Sequence, residues 1–140
     1  MHVYIDCEFN SFGGELISLA LVPADISRAS FYEVLDTSQL QIDPWVAEHV
    51  MPKLGKPAIS PPTFQARLQA YLDTFRKMHV VADWPEDLAW LCRSLITGPG
   101  TRIRYPLEFT MECLPVDSVS ANPHNALADA QGLRDHFNAA

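Results

Sequence analysis

Three stretches with strand character follow one another within residues 3–35, and that run narrows the architectures open to the chain. From Val3 to Phe9, the residues Val3, Ile5, Cys7 and Phe9 alternate with Tyr4, Asp6 and Glu8. Alternation of period two marks a strand with two different faces. Gly13-Gly14 then signals a turn, and Glu15 to Val22 is a largely apolar second strand, so the two should pair antiparallel. Ser30 to Leu35 supplies a third strand.

The middle of the chain changes period. Asp43-Pro44-Trp45 opens a short helical stretch running to about Leu54, and Pro52, Gly55 and Pro57 break any regular structure beyond it. Ser60 can cap a helix whose first turn tolerates the next two prolines. Phe64, Leu68, Tyr71, Leu72 and Phe75 recur there at helical spacing. His79 to Ala82 reads as a short buried strand. Pro85-Glu86-Asp87 starts a helix with Leu88, Leu91, Cys92 and Leu95 on one face, ended by Gly98-Pro99-Gly100. Arg102 to Phe109 reads as a strand, and Asn122-Pro123 as the start of a last helix through Leu127, Ala130, Leu133 and Phe137. The order β-β-β-α-α-β-α-β-α predicts an α/β fold. Its mixed sheet holds about five strands, the first three antiparallel, with helices on its flanks.

The 140 residues are 48% apolar and 19% charged, which predicts one globular domain over residues 1–140. No apolar run approaches the ~20 residues of a membrane span. Met1 to Asp6 lacks the basic start of a signal peptide, and Cys7, Cys92 and Cys113 form no CxxC pair. A reducing cytoplasm is therefore the expected compartment. A net charge of −7 disfavours a broad duplex-binding surface or an anionic membrane as partner. It leaves nucleic acid open as a substrate, because acids gathered on divalent cations invert the local sign.

The placement of the acids then matters most. Asp6 and Glu8 lie two apart in the first strand and project from one face. Carboxylates so close repel unless a cation or a proton joins them. Asp87 falls in the first turn of a helix after an apolar strand, and Asp83 ends that strand. A helix start favours an acid in any case, so both positions also admit a purely structural role. Asp129 lies inside the last helix among alanines, where an acid has little structural reason to be. His124, five residues earlier, reaches the same site only from the turn before the helix. Together these residues suit two divalent ions held ~3.5–4 Å apart, and oxygen ligands favour Mg²⁺ or Mn²⁺.

In this order the segments around Asp6 and Glu8, Glu86 to Leu91, and His124 to Asp129 resemble the three motifs of the DEDDh 3′–5′ exonucleases. The stretch Asp43 to Pro52 resembles the small mycobacterial-type exoribonuclease branch of that family. The resemblance implies a ribonuclease H-like fold and a 3′–5′ exonuclease acting on 3′ ends of single-stranded RNA or DNA, RNA favoured, with 5′-mononucleotides as products. It implies Asp6, Glu8, Asp87 and Asp129 as ligands of two metal ions and His124 as general base. Asp83 stands where many relatives carry Asn, and is the alternative to Asp87. Relatives are often dimeric, so a homodimer is among the expectations.

Phe9, Asn10 and Trp45 are the expected substrate contacts, with Ser11 and Phe12 in the same run after the first strand, since aromatic rings beside such a site stack on unpaired bases. Arg102 and Arg104, two apart in the expected strand, are candidates to meet phosphates on one face. The competing readings are a catalytically inactive nucleic-acid-binding or protein-interaction module on the same fold, and an acidic non-enzymatic interaction protein. Metal-dependent turnover separates them from the exonuclease.

Overall fold

The structure is a computed structural model that describes residues 1–117 and 120–140. The chain opens with β1 (His2–Phe9), β2 (Leu16–Pro23) and β3 (Phe31–Leu35). Helix α1 (Pro44–His49) and a 3-10 turn (Met51–Lys53) lead to the two-residue β4 (Ala58–Ile59). Then come α2 (Pro61–Leu72), β5 (Lys77–Ala82) and α3 (Pro85–Ser94). A small hairpin, β6 (Ile96–Gly98) with β7 (Thr101–Arg102), precedes β8 (Glu108–Cys113) and α4 (Ala126–Asn138). Among the described residues this is an α/β structure with four α-helices and a mixed six-stranded sheet. Among them no helix is long and apolar enough to cross a membrane.

The sheet order is β4-β3-β2-β1-β5-β8. β1 and β2 pair antiparallel, as do β2 and β3, in agreement with the expectation for the first three strands. The β3–β4, β1–β5 and β5–β8 pairs are parallel, so β2 alone runs against the rest. All eight residues of β2 are buried, as its apolar sequence requires of a strand covered on both faces. On one face Val3, Ile5, Cys7, Leu19 and Leu21 pack against α2 and α3 through Leu68, Leu72 and Leu91. On the other face Ala20 and Val22 meet Ala126 and Ala130 of α4, while Tyr4 and Val81 meet Leu133. Short side chains on both sides let α4 lie close over β1 and β2.

Three expectations need correction. The strand expected over Arg102 to Phe109 is absent as such. Pro106 has no N–H for a ladder, and β8 begins only at Glu108, where its register with β5 sets Glu108 beside Lys77 at 3.1 Å. Helix α3 stops at Ser94, and Gly98-Pro99-Gly100 forms the turn of the β6–β7 hairpin, with Gly100 at φ 71. The last helix starts at Ala126 and not at Asn122, because the side chain of Asn125 accepts the N–H of Ala128 and caps it there.

The β1–β2 turn is tight. Asn10 N–H donates to Glu15 O at 2.8 Å, and a Cβ on Gly14 would stand 1.8 Å from Asn10 O. Only glycine fits there. The ladder shifts register between Glu8 and Phe9, so a bulge separates the acids from the turn.

Candidate active site

β1 outruns its neighbour. β5 pairs with β1 only over His2–Tyr4, which leaves the far end of β1 open on that side. Alternation turns Asp6 and Glu8 of that end toward the α4 face. The gap beside β1 is closed by α3. Trp84 is extended, Pro85 takes the first helical position, and Asp87 in the first turn accepts the N–H of Cys7 at 3.2 Å. Asp87 is 1% exposed, so it stands in for the missing strand partner and faces Asp6.

α4 brings the last acid. Asn125 caps it, so Asp129 is not a mid-helix acid as expected but lies in the first turn, where it has a structural role in accepting the N–H of His124 at 3.2 Å. His124 has φ 69, in the left-handed region that side chains with a Cβ seldom adopt. This turn, and not a regular helix, lets His124 and Asp129 reach one place.

The acids form two groups that share Asp6. Asp6, Glu8 and Asp129 each offer an oxygen, and these lie within 4.8 Å of one another. Asp6, Asp83 and Asp87 do the same. Asp6 Oδ2 and Asp87 Oδ2 are buried and have no hydrogen-bond partner among the described residues. An unsatisfied buried carboxylate oxygen is costly, and a cation or a proton relieves it. The donor set is all oxygen, which fits Mg²⁺ or Mn²⁺.

Electrostatics agree with the geometry. Burial, then the charges of Asp87, Glu8, Asp129 and Asp83, pushes Asp6 well above the usual carboxylate range. Burial and the Asp129 charge raise Glu8 to about 8, against a hydrogen bond with Asp6 and then the Lys53 charge, which pull the other way. Burial and the Asp83 charge raise Asp87 to about 8. Asp83 is itself raised, by burial and then by Asp129. These groups resist ionising together in a site without cations. Burial also lifts the Cys7 thiol well above its ordinary value, in keeping with its packing in the core.

Two cavities flank the acids. One, of about 270 Å³, is lined by Asp6, Asp83, His124, Asp129 and Leu133. The other, of about 300 Å³, lies on the Glu8 side between Phe9, Phe12, Trp45 and Trp84. A larger one, of about 440 Å³, sits between Leu16, Leu35, Phe64 and Trp90 and holds none of the clustered acids.

The structure thus gathers Asp6, Glu8, Asp87, Asp129 and His124, and Asp83 with them. Trp45 stacks on His49 at 4.5 Å and meets the His124 ring edge-on at 5.1 Å. Phe9 borders the aromatic cavity and also packs on the core. Asn10 lines neither flanking cavity. Its amide donates to Gln41 O at 2.9 Å and accepts the N–H of Asp43 at 2.8 Å, which braces the turn against α1. Arg102 and Arg104 share no strand: Arg102 lies over the Tyr105 ring, and Arg104 pairs with Asp73 at 2.8 Å.

Phe12, in the run after the first acidic strand, lines the aromatic cavity together with Trp84, which sequence reasoning missed as a cavity wall. The signal for Trp84 is its exposure of 51%, and it exists only in the folded chain. Sequence reasoning also missed Lys53, Tyr32 and Asn125, whose hydrogen bonds support the His124 turn. No family model matches the chain, and no curated protein matches it.

Proposed function

We propose that the protein is a metal-dependent 3′–5′ exonuclease of the DEDDh type, on a ribonuclease H-like fold. It acts on single-stranded nucleic acid, with RNA preferred over DNA. One observation carries this reading. Two groups of carboxylates share Asp6, and two of their buried oxygens lack any partner among the described residues.

Supporting it, the sheet is mixed and its first three strands are antiparallel, as the resemblance implies. The acids stand at the carboxyl ends of β1 and β5, where open α/β sheets collect their ligands.

Asp6, Glu8 and Asp129 would hold one Mg²⁺ or Mn²⁺ ion, and Asp6 with Asp87 the other, Asp83 lying beside them. Two such ions would supply a lowered water pKa and charge stabilisation for phosphodiester hydrolysis. His124, beside Asp6 and Asp129 on one cavity, takes the proton from the attacking water. Phe12, Trp45 and Trp84 offer ring faces to unpaired bases next to Glu8. A duplex cannot present its bases to such rings, which selects single strands.

The test is a gel time course with 3′- and 5′-labelled single-stranded RNA and DNA, run with Mn²⁺, Mg²⁺ or EDTA, beside Asp129→Ala. A ladder shortening from the 3′ end with metal, and absent in EDTA and in the variant, is the expected result. No degradation with either metal would remove the exonuclease reading and favour an inactive binding module.

A further inference from the structure

His124 depends on a backbone turn that no hydrogen bond of its own side chain holds among the described residues. Its φ of 69 is unfavourable for a residue with a Cβ, so neighbouring groups must impose it. Asp129 accepts the His124 N–H at 3.2 Å, and the other groups that impose the turn converge on one residue of the 3-10 turn. Lys53 Nζ donates to Pro123 O at 3.0 Å. Asn125 Nδ2 donates to Lys53 O at 2.8 Å. Lys53 therefore grips the chain on both sides of His124, with its ammonium before it and its carbonyl after it.

The anchor behind Lys53 is firm. Tyr32 of β3 donates to Leu54 O at 2.7 Å, and Asn125 Nδ2 also stands 3.4 Å from Tyr32 Oη. Leu54 is buried with Val46 and Val50 of α1 against Val34. A rigid sheet strand thus fixes the 3-10 turn, and the 3-10 turn fixes the His124 loop.

We infer that Lys53 is a positioning residue that sets the His124 imidazole at the acid cluster by bonding Pro123 O. The inference rests on the exonuclease reading for its effect on rate. Its structural half stands without that reading. Lys53 touches no reacting atom in this role, so it should govern turnover and not substrate affinity.

Wild type, Lys53→Met and Lys53→Arg are compared for kcat and KM on a labelled single-stranded RNA with Mn²⁺. Thermal melts and hydrogen exchange of the peptide covering residues 120–128 are measured on the same samples. Lys53→Met should lower kcat by roughly ten- to a hundredfold, with KM within about twofold. Exchange in 120–128 should rise, and Lys53→Arg, which keeps a donor, should recover most of the rate. An unchanged kcat in a folded Lys53→Met overturns the inference. So does a raised KM with unchanged kcat, which would make Lys53 a phosphate contact. If wild type itself is inactive, the exonuclease reading fails, and the exchange data alone decide whether Lys53 holds the turn. Unchanged exchange then overturns it as well.

Discussion

The Asp87 carboxylate accepts the backbone N–H of Cys7 at 3.2 Å, across 80 residues of sequence. Asp87 thereby continues the hydrogen bonding of β1 where β5 has turned away, and the same contact holds its other oxygen in the acid cluster. The residue has two duties that substitution can separate. Asp87→Asn keeps an acceptor for Cys7, whereas Asp87→Ala leaves a buried N–H without one. Both variants should lose metal-dependent activity. In urea denaturation without metal, Asp87→Ala should be less stable than Asp87→Asn by about 1–3 kcal/mol. Equal stability would deny Asp87 its structural part.

Stability without metal should fall as pH rises. Asp6, Glu8 and Asp87 have folded-state pKa values raised above those of the unfolded chain, to about 8 for Glu8 and Asp87. Between about pH 4 and 8 the folded protein retains protons that the unfolded chain has released. The contribution is fully present below the unfolded pKa and is lost as pH passes the folded value. Each such proton sets a slope of at most ~1.4 kcal/mol per pH unit. Urea midpoints measured in EDTA from pH 5 to 8.5 should decline. Saturating Mn²⁺ should reverse the trend at the alkaline end, since metal and proton compete for the same oxygens.

Asp6 is the oxygen source common to both groups, so its charge faces the most repulsion. Asp6→Asn should raise the stability of the metal-free protein at pH 8 by about 1–2 kcal/mol. It should also abolish both exonuclease activity and the rise in Tm on adding Mn²⁺. A variant that melts lower than wild type in EDTA at pH 8 would contradict the repulsion argument.

Phe12 and Trp84 are exposed on the wall of the aromatic cavity. Their replacement by alanine should leave Tm nearly unchanged. Each should weaken binding of a single-stranded oligonucleotide by ~1–3 kcal/mol, read by fluorescence anisotropy with Ca²⁺ in place of the active metal. Trp45→Ala should differ in kind, lowering kcat as well, because its ring also contacts His124.

The legible parts of the fold are those written in local periodicity. Asp6 and Glu8 share a face because strand alternation demands it, and the apolar run of β2 marks a strand covered on both sides. The alanines around Asp129 signal close packing, and Ala126 and Ala130 lie fully buried against Ala20 and Val22. The hidden parts depend on partners distant in sequence. Arg102 to Phe109 suggests a strand from its sequence, whereas the ladder of β8 with β5 begins only at Glu108. Asp83 and Asp87 cannot be ranked from spacing, and both reach Asp6. Lys53 and Asn125 bond backbone carbonyls 70 and 72 positions away, and no local pattern encodes such pairs.

The bulge between Glu8 and Phe9 divides the first hairpin into two regions with different tolerance for change. A residue inserted on the strand side of it would rotate Asp6 and Glu8 onto the face packed by α2 and α3, where Val3, Ile5 and Cys7 now lie. A residue inserted at Ser11 to Gly13 would only lengthen an exposed turn, provided that Gly14 keeps its place beside Asn10 O. Length variation at this hairpin is therefore permitted in one direction alone. A grafted loop belongs after the bulge, where it leaves the carboxylates undisturbed.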